Sequence, residues 1–225
     1  MSRSNQLCGV LLDVDGTLID SNDAHAHAWV KALQKGGYTV PFEKIRKLIG
    51  MGSDNLLPET AGVTKDSPQG KKMSDDWKDI FEKEYLAGLK SFPGTRELLK
   101  SLKERGVKMV VASSAEAELL DKLLKVAGTD GLLEDVTSSS DAKNSKPDPD
   151  IVQAALKRLG CPASNTIMLG DTPYDIEAAG KAGVRVIALR CGGWSDEELE
   201  GAVAIFQDPA DLLAHLEQSP LRKHP

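Results

Sequence analysis

The sequence predicts an α/β fold: a mostly parallel sheet covered by helices on both faces, interrupted by an all-helical insertion. Three observations predict it. Short apolar runs alternate with helical segments, as parallel strands joined by crossover helices require. Two of those runs stop at an aspartate, Asp13 and Asp171. Between Asp20 and Leu89 no segment carries the β-branched density of a core strand, although helical patterns continue.

Taken in order, LCGVLL at 7–12 reads as a buried strand ending at Asp13, VKMVVAS at 107–113 as a second, NTIMLG at 165–170 as a third and GVRVIAL at 183–189 as a fourth. A weaker strand is expected at 134–138, and VAIFQDPADLLAHLEQ reads as a short strand and a closing helix. Helices are expected at 94–105, 115–126, 148–160 and 173–181, with Gly183 as the residue just past the last of these. The insertion contains AHAHAWVKALQKGG, PFEKIRKLIG, SDNLLPETAG and DDWKDIFEKEYLAGLK, each helical in pattern. The expected division is a core of residues 1–19 and 90–225 around a cap of residues 20–89. Gly70 and its lysine neighbours are expected in an exposed loop.

A chain of 225 residues has ample material for one such core with a modest insertion. Hydrophobic residues make up 40% and aromatics only 4%, so aliphatic side chains must fill the interior. The net charge of −6 disfavours a nucleic-acid polymer as partner, since no basic run neutralises many phosphates. A small anionic metabolite remains compatible, because a metal and a few local donors reverse the sign inside one pocket. The opening MSRSNQLCGVLLDVDG has no signal-peptide pattern, and no 18-residue apolar run predicts a membrane span. The three cysteines, Cys8, Cys161 and Cys191, are odd in number and lack metal-ligand spacing. They predict reduced, mostly buried thiols and a cytoplasmic protein.

The strongest local signal is DVDGTLID at 13–20. Carboxylates two residues apart, just past a buried strand, are costly unless a metal, hydrogen bonds or chemistry uses them. The plain alternative is that Asp13 and Asp15 cap a turn. In open α/β sheets the ligand crevice lies beyond the carboxyl ends of the strands. There a carboxylate can attack phosphorus, and a second can protonate the leaving oxygen and later deprotonate water. Gly16 suits a tight turn close to an anion, and Thr17 can donate. GDTPYD at 170–175 repeats the arrangement, with Asp171 at a strand end and Asp175 in the first turn of the next helix. With Asp13 these supply the hard oxygen ligands that Mg²⁺ prefers. Ser113 and Ser114, after another strand, suit a phosphoryl oxygen or equally a helix N-cap near Ala115. Lys146, stiffened by Pro147 and Pro149, can balance a transferring phosphoryl group or stand as a solvated lysine.

DVDGT, VVASS, Lys146 in SKPDPD and GDTPYD appear in that order, and the chain resembles the haloacid-dehalogenase-like hydrolase superfamily, in the subgroup with a helical cap after the first motif. The resemblance spans nearly the whole chain and implies a Rossmann-like core. It implies Asp13 as nucleophile and metal ligand, Asp15 as general acid/base with its backbone carbonyl on the metal, and Asp171 as third ligand. Asp175 would hold metal-bound water or the Lys146 network. Ser113 matches the phosphate-binding position, with the Val14 and Ser114 amides nearby. The cofactor implied is Mg²⁺, and the partner a small phosphorylated metabolite under a closing cap, in a monomer or homodimer.

Asp15 points to phosphoryl transfer, since dehalogenases of this superfamily need no acid at that place. Lys31, Lys35, Lys44 and Lys47 leave the lysine of phosphonate-cleaving relatives open. A phosphosugar mutase is the main alternative to a phosphatase, because His25 and Trp29 in HAHAW resemble the mutase pattern. His27 cannot share the face of His25. A catalytically silent interaction protein is the remote alternative. In IRKLIGMGSDNLL at 45–57, Gly50, Gly52 and Ser53 suit contact with a ligand, and Arg46 or Lys47 an anionic group. The absence of an evident arginine for a second phosphate favours the hydrolase.

Overall fold

The structure is a computed structural model that describes residues 7–222; the first six residues of the stretch read for a signal peptide lie outside that range, as do both ends of the expected core. Six strands, β1 (Gly9–Leu12), β2 (Lys108–Ala112), β3 (Asp135–Thr137), β4 (Thr166–Gly170), β5 (Arg185–Leu189) and β6 (Ala204–Phe206), form one sheet in the order β3-β2-β1-β4-β5-β6. Every pairing is parallel, with Gly9 opposite Lys108 on one side and Thr166 on the other. Side chains alternate across the strands. Val10, Leu12, Met109, Val111, Ile167 and Leu169 face one apolar layer, and Leu11, Val110 and Met168 face the other.

Helices complete both layers. On one face lie α5 (Thr95–Glu104), α6 (Ala117–Ala127) and α9 (Pro209–Ala214). On the other lie α7 (Asp150–Leu159) and α8 (Pro173–Lys181). The stripe Leu98, Leu99 and Leu102 of α5 is fully buried, and each such leucine contributes about 1.5–3 kcal/mol relative to exposure. Helix α8 starts sharply because Thr172 and Asp175 form a reciprocal cap and Pro173 follows. It ends as expected, with Gly183 at φ +73° just beyond Ala182.

Between β1 and α5 the chain forms α1 (Asn22–Lys35), α2 (Phe42–Leu48), α3 (Ser53–Ala61) and α4 (Pro68–Ile80), which runs into a π turn at Phe81–Tyr85. This is the inserted helical cap, packed around Trp29, Leu33, Ile45, Leu57, Met73 and Phe81. The expectation for Gly70 is corrected. It is buried in the first turn of α4, where its N–H donates to Ser67 Oγ at 3.0 Å. A Cβ there would meet the Thr64 carbonyl at 2.1 Å, so the turn before the helix closes over a hydrogen atom. Its neighbours Lys71 and Lys72 are exposed, but helical.

The cysteine expectation is also corrected: Cys8 and Cys161 form a disulfide across 153 residues, leaving Cys191 free. Gly9 lets the Leu159 side chain press on the start of β1, where a Cβ would sit 2.8 Å from it. That close approach sets Cys161 beside Cys8, Cα to Cα 5.9 Å, within the reach a disulfide needs. An odd cysteine count says nothing about such a pair. No helix among the described residues is long and apolar enough to cross a membrane.

Candidate active site

The strand order reverses direction at β1, since the chain steps to β2 on one side and later to β4 on the other. Such a switch point opens a crevice beyond the strand ends. Three neighbouring strands therefore deliver Asp13 after β1, Ser113 after β2 and Asp171 after β4 to one place. Lys146 reaches it from the loop before α7, and only 2% of it remains exposed.

Lys146 Nζ lies 2.5 Å from Asp13 Oδ1 and 2.7 Å from Asp175 Oδ1. Thr17 Oγ1 is 3.2 Å from Asp13 Oδ2 and 2.9 Å from Asp171 Oδ1. Asp175 Oδ2 accepts from Thr172 N at 3.0 Å and Thr172 Oγ1 at 2.7 Å, so this residue serves both the helix cap and the lysine. The Asp15 carboxylate turns the other way, accepting from Ser21 Oγ at 2.5 Å and meeting His25 Nε2 at 2.8 Å. His25 is held flat against Phe81, ring centroids 4.0 Å apart. His27 sits on another face, against Phe42.

Burial pushes the Asp13 carboxyl up to about 7 even though Lys146 pulls it down. Burial, then the charges of Asp13 and Asp175, push Asp171 well above the usual carboxylate range. Burial also works against the Lys146 charge, but Asp13 and Asp175 outweigh it and hold the ammonium above the ordinary lysine value. For Asp15 burial is likewise outweighed, chiefly by His25, and its carboxyl lies below the ordinary range.

Three buried carboxylates against one lysine leave negative charge to be neutralised. Asp13, Asp171 and Asp175 each bring an oxygen to within 4.8 Å of the others. The space beside Asp171 is kept clear by glycine, since a Cβ on Gly16 or Gly192 would fall 2.2 or 1.9 Å from Asp171 Oδ2. An all-oxygen set of this kind fits a hard divalent cation.

The cavity above this cluster holds about 110 Å³ and is lined by Asp13, Asp15, Ser113, Ser114 and Lys146 from the core side. His25, Gly50, Gly52 and Ser53 line it from the cap. Ser113 Oγ accepts from Ala115 N at 3.1 Å, and the N-cap of α6 is Glu116, so neither serine caps that helix. The Val14 and Ser114 amides donate to no group among the described residues. Gly50 and Gly52, at φ +106° and +78°, bring the cap close to the core: a Cβ would lie 2.9 Å from Thr172 and 2.4 Å from Ser145.

Arg46 and Lys47 do not meet the cavity. Arg46 binds Asp23 and the Gly192 carbonyl, and Lys47 binds Glu198 at 2.6 Å with its ammonium over Trp194. Lys31, Lys35 and Lys44 are also engaged elsewhere, with Glu84, Asp76 and the Glu59 carbonyl, and none lines the cavity. Asn22 was not singled out by sequence reasoning. Its Nδ2 donates to Asp171 Oδ2 at 2.9 Å and to the Gly192 carbonyl at 3.2 Å, tying the first residue of α1 to the acidic cluster. A polar residue at a helix start gives no sign of a partner 149 residues away.

A parallel sheet with this acidic cluster and buried lysine at its switch point, under a helical lid, defines a hydrolase of phosphoric monoesters. The chain belongs to the haloacid dehalogenase-like hydrolases, matching that family over residues 10–189. It is 31% identical to a phosphoglycolate phosphatase of Aquifex aeolicus, over 91% of this chain and 94% of that protein. It is 24% identical to an N-acetylmuramic acid 6-phosphate phosphatase of Pseudomonas aeruginosa, over 95% and 96%. The crystal structure of a hydrolase from Pseudomonas syringae superposes with a TM-score of 0.88 at 29% identity, covering 94% of this chain and 98% of that one.

Proposed function

We propose that this chain is a Mg²⁺-dependent phosphatase that hydrolyses the monoester of a small metabolite through an aspartyl phosphate on Asp13. The observation that carries the reading is Lys146 Nζ, buried between Asp13 Oδ1 and Asp175 Oδ1 at the floor of a cavity that Asp15 also lines. An Asp13 oxygen attacks phosphorus, and the ester P–O bond breaks as Asp15 gives its proton to the leaving oxygen. Water then loses a proton to Asp15 and attacks the same phosphorus, which breaks the Asp13–P bond and releases phosphate. Lys146 balances charge on Asp13 and the phosphoryl oxygens, while the Val14 and Ser114 amides and Ser113 hold those oxygens. Asp13, Asp171 and the Asp15 carbonyl would hold Mg²⁺, with Asp175 fixing Lys146. A bound Mg²⁺ supplies neutralisation of the phosphoryl charge and of the carboxylates facing it. Asp15 serves as acid once it leaves the Ser21 and His25 contacts that hold its carboxyl low, takes up a proton from water and turns toward the leaving oxygen, which makes His25, Gly52 and Ser53 the cap's contribution.

The test is Mg²⁺-dependent phosphate release from an aryl phosphate and a metabolite panel by the wild-type chain and Asp13→Asn. Loss of turnover in a folded Asp13→Asn protein supports the reading; retained turnover sinks it. Given a hexose 1-phosphate with trace bisphosphate, phosphate release should outrun isomerisation. The reverse would make the chain a mutase.

A further inference from the structure

A second cavity adjoins the first. It holds about 230 Å³, and Lys65 and Ser114 stand in the walls of both. The two differ in chemistry. Away from the carboxylates, the first is walled by Trp29, Leu48, Ile49, Leu56 and Trp77. The second is walled mainly by charged and hydroxyl side chains: Asp54, Lys65, Asp66, Ser139, Lys143 and Ser145.

Several of these groups lack partners. Ser114 Oγ and Asp54 Oδ1 are buried without a hydrogen bond, although Asp54 Oδ2 accepts from Ser145 N at 3.1 Å. Lys65 and Lys143 form no ion pair or hydrogen bond among the described residues. Buried polar groups are normally satisfied, so an orphaned donor and acceptor at one seam call for a ligand that offers both. Charge decides which ligand. Two lysines face two aspartates, so the cavity has no surplus of positive charge for a second phosphate or a carboxylate. Alternating donors and acceptors without net charge suit hydroxyl groups.

We infer that the ester hydrolysed here carries a neutral, hydroxylated tail of pentose or hexose size. The tail passes between Lys65 and Ser114 into the second cavity, where Asp54, Lys65 and Lys143 bind its hydroxyls. A two-carbon ester fills only the first cavity and leaves those groups unmet. This inference rests on the phosphatase reading for its site, and its test is chosen to stand apart from turnover.

Calorimetry on the full-length Asp13→Asn protein with Mg²⁺ measures binding of ribose 5-phosphate, glucose 6-phosphate, 2-phosphoglycolate and fructose 1,6-bisphosphate. The sugar monophosphates should bind at least about tenfold more tightly than phosphoglycolate, the order expected when a ligand hydroxyl meets a buried polar partner. Asp54→Asn and Lys65→Met, made separately in case one disturbs folding, should each reduce that preference several-fold. Tightest binding of phosphoglycolate or of the bisphosphate overturns the inference, as does an equal loss for every ligand in both variants. Absence of aryl phosphate turnover in the wild type would instead strike the phosphatase reading and leave the binding order to judge the tail site.

Discussion

The floor and the roof of the active site are built on different principles. The floor is a set of short buried contacts at the ends of three adjacent strands, with Lys146, Asp13, Asp171, Asp175 and Thr17 almost wholly excluded from water. The roof is held down at its edge by contacts that reach solvent: Lys47 with Glu198, and Tyr174 Oη donating to the Lys47 carbonyl at 2.6 Å. Charges in the floor cannot be unmade cheaply, whereas those at the roof's edge exchange with water at little cost. A rigid floor suits the part that must present a phosphoryl group at fixed distances, and a loosely latched roof suits the part that must admit and release the substrate.

The sharpest way to break this contrast is Lys146→Ala. Removing the cation that bridges Asp13 and Asp175 should cost about 3–5 kcal/mol of stability, read as a lowered urea midpoint, and should abolish turnover even with Mg²⁺. A loss below about 1 kcal/mol would place the floor in the same class as the roof.

Metal removal should act next most strongly, and only in one direction of pH. Asp13 is raised from 3.8 to about 7, so in the metal-free protein the fold favours the protonated acid. The stability this contributes is complete below pH 4 and is lost as pH rises through 7, by up to about 1.4 kcal/mol per pH unit for one proton. Scanning calorimetry with chelator should therefore show Tm falling between about pH 5 and pH 7 and levelling off above about pH 8, and Mg²⁺ should restore more at the upper end. A metal-free Tm that rises over that range would contradict the assignment.

Asn22→Ala tests the seam between the two regions. It removes a buried donor from Asp171 and from the Gly192 carbonyl, at a cost of about 1–3 kcal/mol. Mg²⁺ affinity, measured by titration without substrate, should shift along with Tm, because Asp171 loses the group that orients one of its oxygens. The smallest effect is expected for Lys47→Ala. Its ion pair and its seat over Trp194 are half exposed, so stability should change by less than about 1 kcal/mol. Stopped-flow measurement of substrate release should register a faster opening; a large stability loss would mean that the roof is welded rather than latched.

Much of the floor is legible in the sequence. Asp13 and Asp171 stood where apolar strands stop, and Asp175 stood in the first turn of the helix that follows; the cap it shares with Thr172 came only with the structure. The roof was legible only as helices. Arg46 or Lys47 read as a partner for an anionic group because their segment carries glycines expected over the active site, yet both are consumed by partners in the core loop around 192–198. Gly70 read as a loop residue since glycine weakens helices, and only the packing of Thr64 against it explains its place in α4.

By itself the sequence determined the alternation of strands and helices, the interruption by a cap and the carboxylates at the strand ends. All of these follow from hydrophobic period and turn chemistry within about ten residues of chain. The tertiary structure alone decided which oxygens converge on one lysine, which way Asp15 faces, that Asn22 joins cap to cluster and that Cys8 meets Cys161. Those contacts join residues up to 153 positions apart, and they depend on strand order and on small clearances at Gly9, Gly16 and Gly192. No local pattern encodes the shape of such a clearance, since it is set by two surfaces that meet only once the chain is folded.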